Sequence, residues 1–217
     1  MNQENFNIDI LKKNSSIIVI SKNINNSRET CKFFRDILSQ HNKLNGHYFD
    51  SNLLINENNL NHELLSDFEY LIFDNCIDPK MTEYFNSIIN EHSKYRIIAI
   101  QQLPYLKKSI RNKVGYMFIY KNTFKGSLFR IYEEYLTNIF YNYNKFVDLI
   151  RNLDNNCCIV IDIYNKKIYY FNPLKAISLL RIDNFIEKAN YLDISDYSAS
   201  WEDDVAINNK YNKCTII

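Results

Sequence analysis

Ser16-Ile17-Ile18-Val19-Ile20, followed by the polar loop Ser21-Lys22-Asn23-Ile24-Asn25-Asn26-Ser27-Arg28-Glu29-Thr30, is the stretch on which the fold turns. A short apolar run rich in β-branched residues reads as a buried strand. From Arg28 to Gln40 the period changes: Cys31, Phe34, Ile37 and Leu38 fall on one face of a helix. Strand, loop and helix in that order form the opening unit of an α/β sheet with crossover helices.

The same alternation continues along the chain. A weak second strand is expected near His47-Tyr48-Phe49, and Asn52 to Leu65 reads as loop with a short helix. Glu69-Tyr70-Leu71-Ile72-Phe73-Asp74 is an apolar strand ending in a carboxylate, after which Pro79 opens a helix to about His92. Arg96-Ile97-Ile98-Ala99-Ile100-Gln101-Gln102 is a further buried strand, this one ending in an amide. Tyr116 to Tyr120 reads as a strand, and Ser127 to Tyr141 and Tyr143 to Leu153 as helices. Cys157 to Asp162 and Lys167 to Phe171 form a hairpin across Ile163 to Lys166, and a helix is expected at Lys175 to Ala189. The fold class is therefore α/β, with a mostly parallel central sheet flanked by helices. One domain over 15–190 is preceded by an extension at 1–14 and followed by a polar tail at 191–217.

Composition narrows the function. The chain has 217 residues, 46% hydrophobic, enough for one domain with a sizeable core. With 26 basic against 25 acidic residues and a net charge of +1, any grip on nucleic acid must be local. The three glycines are Gly46, Gly115 and Gly126, so the phosphate-cradling loop G-x-x-x-x-G-K-[ST] is excluded in its intact form. Heavy use of Asn, Ile, Lys and Tyr is the mark of AT-rich codons, so runs such as Asn23 to Asn26 carry little structural weight. Five cysteines without CxxC spacing or nearby histidines argue against structural zinc and for a reducing compartment. Met1 to Leu11 lacks the pattern of a secretion signal, and no apolar run approaches a membrane span. A cytoplasmic protein is expected.

Open α/β sheets bind ligands outside the carboxyl ends of their strands, and three such ends stand out. Ser21 to Thr30 lies where nucleotide-binding proteins carry the phosphate loop. Tyr70 to Asp74 has the shape of a strand whose terminal Asp helps to hold the Mg²⁺ of a bound nucleotide. Ile97 to Gln102 ends in a side chain able to orient water or sense a γ-phosphate. Taken singly, Asp74 also fits a turn initiator or helix cap, and Gln102 a polar cap on a buried strand.

In combination, Tyr70 to Asp78, Ile97 to Gln102 and Ser109-Ile110-Arg111-Asn112-Lys113 resemble the DNA-packaging ATPases of poxviruses and related large DNA viruses, in the FtsK/HerA group of P-loop NTPases. The later strand Cys157 to Asp162 matches the family's order of elements, and the resemblance spans about residues 15 to 175. It implies a single P-loop-NTPase-like domain. It also implies catalytic-position residues Asp74, Asn75, Gln102 and Arg111, with Asp74 as the Mg²⁺ ligand where nucleotide binds. Asn75 stands where the family has a second acid; an amide positions water but is a poor base, and general-base catalysis is worth roughly 10²–10⁴-fold.

The phosphate loop departs further. Its counterparts here are Asn25, Asn26, Ser27, Arg28 and Thr30. With Asn26 at the last glycine, Ser27 replaces the lysine and Arg28 the hydroxyl residue; slipping by one puts Glu29 beside phosphate. A like-charge pair at about 4 Å costs roughly 4 kcal/mol at an effective dielectric near 20. Without glycine, backbone N–H groups do not readily adopt the left-handed geometry of a phosphate nest, although Asn tolerates it better than most residues.

The expected function is accordingly a degenerate, catalytically inactive relative of a viral packaging ATPase. It would serve as an accessory or non-catalytic subunit in DNA handling or virion assembly, in the host cytoplasm or the virion. The implied partners are a homo- or hetero-oligomer with an active ATPase, and DNA. ATP and Mg²⁺ are the cofactors only where the site is functional, as in an active ATPase with an atypical phosphate loop. Lys107, Lys108 and Lys113 are the candidate nucleic-acid contacts; a solvated helix face is the plainer reading of that segment. Glu133 and Glu134 read as exposed charges. Cys214-Thr215-Ile216-Ile217 fits a C-a-a-X box, so an alternative is a non-enzymatic interaction module anchored peripherally to a membrane by prenylation of Cys214. A terminal Ile is unusual in such a box, and a single lipid anchors only marginally.

Overall fold

The computed structural model describes residues 6, 8–12, 15–50, 67–75, 95–102, 108–121, 123–140 and 142–176. By compactness the chain divides into Met1–Ile177 and Ser178–Ile217; the second unit lies outside the described residues, as do the expected helix after Pro79 and the boundary at 190, while of the helix expected over Lys175 to Ala189 only Lys175 and Ala176 are described, both helical.

Seven strands make one sheet: β1 (Ser16–Ile20), β2 (Gly46–Phe49), β3 (Tyr70–Asp74), β4 (Tyr95–Ile100), β5 (Val114–Tyr120), β6 (Cys158–Asp162) and β7 (Lys167–Phe171), in the order β2-β3-β4-β1-β5-β6-β7. The first five are parallel, with Ile18 opposite Ile98 and Met117, and Ile72 opposite Ile97. β6 and β7 are antiparallel additions at one edge. β4 is inserted between β1 and β3, which brings the C-terminal ends of those three strands side by side. The expected mostly parallel α/β sheet is present.

Burial explains why the central strands read as unbroken apolar runs. Side chains alternate between two covered faces. Ile18, Ile20, Leu71, Phe73, Ile98, Ile100, Met117 and Ile119 join one core with Leu128, Ile131, Phe146 and Ile150 of the helices α3 (Lys125–Ile131) and α4 (Tyr143–Arg151). The opposite face is covered by α1 (Ile24–Asp36), where Phe34 meets Phe118 edge-on and Phe33 packs on Phe171. The segment expected as an N-terminal extension contributes to this side: Phe6 is buried against Phe118 and Phe171, and its N–H donates to the Tyr170 carbonyl.

Three element boundaries differ from expectation. α1 starts four residues before Arg28, because the Asn23 side chain accepts from the Asn25 N–H and caps it. Its last turn widens into a π turn, Ile37–His41. The helix expected over Ser127 to Tyr141 is α3 followed by a second π turn, Tyr132–Leu136. The Asn run discounted as codon bias thus holds the residue that starts the first helix.

Candidate functional site

The C-terminal edge of β1, β4 and β3 is where the sequence places its site, and the structure gathers only part of it there. Asp74, the last residue of β3, is completely buried. Its Oδ2 accepts from Arg28 Nε at 3.2 Å and from the Tyr48 hydroxyl at 2.7 Å. Its Oδ1 accepts from Asn75 Nδ2 at 2.8 Å. Arg28 reaches in from α1, with Nη2 3.8 Å from Asp50. The Asp74 hydrogen bond, with help from the Asp74 and Asp50 charges, raises the Arg28 pKa against the lowering effect of desolvation. Burial pushes the Tyr48 phenol well up, and its hydrogen bond to Asp74 adds to that, so this hydroxyl is a fixed donor.

Asn75 closes the cluster from the backbone. Its φ of 54° is left-handed, a conformation Asn adopts more readily than most residues. Its N–H donates to the Ala99 carbonyl, continuing the β3–β4 ladder, while Nδ2 bridges Asp74 and the Ser27 hydroxyl at 2.9 Å. That bridge fixes the amide: the opposite orientation would set Oδ1 against the Asp74 carboxylate. Oδ1 is left shielded, with no hydrogen-bond donor among the described residues.

The loop after β1 is short. Only Ser21, Lys22 and Asn23 separate the strand from α1, so Asn25, Asn26, Ser27, Arg28 and Thr30, expected in a phosphate-binding loop, lie in the helix. Among the described residues positive φ occurs at Lys43, Asn75 and Lys166, and at none of residues 21–30. Of the side chains expected to face phosphate, Asn26, Ser27, Arg28 and Thr30 are engaged elsewhere. Ser27 Oγ donates to the Ile24 carbonyl, Asn26 Nδ2 donates to the Asn155 carbonyl, and buried Thr30 shares a 2.6 Å hydrogen bond with the Tyr120 hydroxyl. Asn25 is exposed on the first turn.

These residues therefore do not fit a Mg²⁺-bound triphosphate. The Asp74 oxygens face Arg28, Tyr48 and Asn75, and three loop residues give no concave row of N–H groups. Among the described residues, no group of three His, Cys, Asp or Glu side chains is arranged to hold a metal ion.

Gln102 sits two residues beyond β4 at this same edge, half-buried. Arg111 does not join it. It ends the short helix α2 (Lys108–Arg111) just before β5, whose first residue Val114 pairs with Ser16 at the N-terminal edge of the sheet. There Arg111 is buried and doubly bonded to Glu134, with Nε at 2.8 Å and Nη2 at 2.7 Å. Strand direction puts Arg111 at the edge opposite Asp74 within this chain, and Glu134, exposed as expected, is its ion-pair partner there. Lys108 and Lys113 are exposed at that opposite edge; Lys107 and Cys214 lie outside the described residues. No helix among the described residues is long and apolar enough to cross a membrane.

Sequence reasoning missed Tyr48 and Asp50 as partners of this cluster. Tyr48 lies in the weak strand His47-Tyr48-Phe49 and Asp50 follows it, and parallel pairing with β3 puts that strand's C-terminal end beside Asp74. A strand-end tyrosine and acid at that edge were the available signal.

Sheet order and strand direction define an α/β domain built on one mostly parallel seven-stranded sheet. Among solved structures, the DNA-packaging ATPase B204 of Sulfolobus Turreted Icosahedral Virus is similar, with a TM-score of 0.52 at 13% identity over 75% of this chain and 99% of that one. The genome packaging NTPase B204 of Sulfolobus turreted icosahedral virus 2 is similar in its complex with ATP-gammaS (TM-score 0.50, 12% identity, 75% and 99% covered). Its complex with AMP gives a TM-score of 0.50 at 10% identity with the same coverage. At such identities the likeness establishes the fold. No protein-family model and no curated protein sequence matches the chain.

Proposed function

We propose that this chain is a non-hydrolysing relative of the viral genome-packaging NTPases, acting as an accessory or non-catalytic subunit beside a catalytically complete partner. One observation carries the reading. The carboxylate that would hold Mg²⁺ is buried under the protein's own cation, Arg28, with Tyr48 completing its coordination. A guanidinium there supplies the positive charge that the metal would, and with Tyr48 it occupies Oδ2. The three-residue loop and the amide at Asn75 point the same way: the first supplies no phosphate nest, the second no strong base. The fold likeness to B204 supports a role in DNA packaging.

Steady-state ATP hydrolysis, with Mg²⁺ and with or without duplex DNA, tests the proposal. The expected rate equals that of the Asp74→Ala variant in both conditions. Turnover that Asp74→Ala abolishes would refute it.

A further inference from the structure

The loop after β1 has a second side. Facing away from Asp74, Lys22 and Asn23 meet Thr123, Phe124 and Lys125, the segment after β5, around a cavity of about 580 Å³. The parallel pairing of β1 and β5 brings these two turns together, and Thr123 ties them by donating from Oγ1 to the Ile20 carbonyl at 3.1 Å. Lys22 Nζ lies 5.4 Å from the centre of the Phe124 ring. Neither Lys22 nor Lys125 pairs with a carboxylate among the described residues, in contrast to Arg28 and Arg111. Two lysines thus line one cavity together with an aromatic ring, and neither has a carboxylate counterion among the described residues.

The cavity continues onto an aromatic face. Lys125 and Phe129 are four residues apart on α3 and share a side of it. Phe129 is 48% exposed, and Tyr143 at the start of α4 meets its ring edge-on at 5.4 Å. The Tyr143 hydroxyl donates to the Lys125 carbonyl, which joins the two helices at the cavity's mouth. An exposed aromatic next to an unpaired basic cavity suits a ligand with phosphate at one point and a flat ring at the next. Because the track runs out of the cavity and along a surface, a strand fits it better than a free mononucleotide.

We infer that the Lys22–Phe124–Lys125 cavity and the adjoining Phe129–Tyr143 face form a binding site for single-stranded nucleic acid. Lys22 and Lys125 neutralise backbone phosphates, and the Phe124 and Phe129 rings stack bases. Stacking tolerates any base, so the site reads no sequence. The inference does not depend on the reading of Asp74: it needs neither nucleotide nor metal, and it stands or falls separately.

Fluorescence anisotropy of labelled oligo(dT) in EDTA, as a function of KCl, is the test. Wild-type protein is expected to bind with a linear fall of log K against log salt. Lys22→Gln with Lys125→Gln is expected to weaken binding about tenfold at low salt and to flatten the slope by roughly 1.4, the share of two phosphates on a single strand. Phe124→Ala is expected to weaken binding by roughly tenfold at every salt concentration without changing the slope, and Phe124→Trp to restore it. Circular dichroism checks that each variant is folded. An unchanged affinity in the double lysine variant would overturn the inference. So would tighter binding of the matching duplex, or displacement by AMP at equal phosphate concentration, which would reassign the cavity to a mononucleotide.

Discussion

Replacing Arg28 by Ala removes the cation from a carboxylate that no water reaches. Asp74 keeps the Tyr48 hydroxyl and the Asn75 amide, but two neutral donors do not offset a buried negative charge. At the 3.2 Å separation of Arg28 Nε and Asp74 Oδ2, the direct attraction at an effective dielectric near 20 is about 5 kcal/mol. The Arg28 side chain is 30% exposed, so solvent already screens part of this, and the group was also partly desolvated to get there. The net loss falls toward the low end of what removing one partner of a buried pair costs, about 3 kcal/mol. Asp74→Asn costs less, because it removes the buried charge and leaves Arg28 able to turn to Asp50 and solvent. The double variant Arg28→Ala with Asp74→Asn is expected to be more stable than Arg28→Ala alone. Urea unfolding followed by circular dichroism reads all four proteins at one slope m. An Arg28→Ala loss below about 0.5 kcal/mol, the ordinary range for a surface change, would refute the account of Arg28 as an internal replacement for the metal.

Three further outcomes follow from particular contacts. Arg111→Ala, which removes the doubly bonded partner of the exposed Glu134 at the far edge of the sheet, is expected to lose about 1–2 kcal/mol in the same urea assay while leaving oligo(dT) binding at its wild-type value. A Cβ at Gly115 would strike the outer edge of the exposed Tyr164 ring, which can swing aside, so Gly115→Ala is expected to destabilise by no more than about 1 kcal/mol and the added change Tyr164→Ala to recover most of it; equal melting temperatures of single and double variants would exclude this contact as the cause. Burial raises the phenol pKa of Tyr48, Tyr120 and Tyr135 above the ordinary value of 10.0 and that of the Cys158 thiol well above 9.0. The native state then holds protons that the unfolded state gives up, so stability present below pH 9 falls as pH rises through and beyond 10. Absorbance at 295 nm is expected to show these three tyrosines ionising only together with unfolding; their ionisation in the folded protein would contradict the burial assigned to them.

The sheet was legible because its central strands are covered on both faces. Ile17 to Ile20, Leu71 to Phe73 and Ile97 to Ile100 are apolar at every position, whereas a half-exposed strand would alternate. The hairpin of β6 and β7 was legible from its turn: the Asn165 N–H and side chain both donate to the Asp162 carboxylate. What the sequence hid was chiefly a matter of where α1 begins. With its start read at Arg28, residues 21–30 form a loop long enough to cradle phosphate; with Asn23 as cap, the loop shrinks to three residues and Arg28 becomes a helical side chain one turn in, aimed at β3. The Arg28–Asp74 contact joins residues 46 apart and has no local pattern to announce it. That Arg111 lies at the edge opposite Asp74 was not legible, because spacing in sequence says nothing about which edge of a sheet a segment reaches. Strand direction decides that, and the strand after Arg111 starts at the wrong end.

The central claim is that Asp74 is held by Arg28 and holds no metal. Titration with Mn²⁺ in the presence of ADP, followed by electron paramagnetic resonance of free Mn²⁺, tests it most directly. Wild-type protein is expected to leave the free Mn²⁺ signal unchanged relative to the Asp74→Ala variant. Stoichiometric loss of that signal in wild-type protein, absent in Asp74→Ala, would contradict the account.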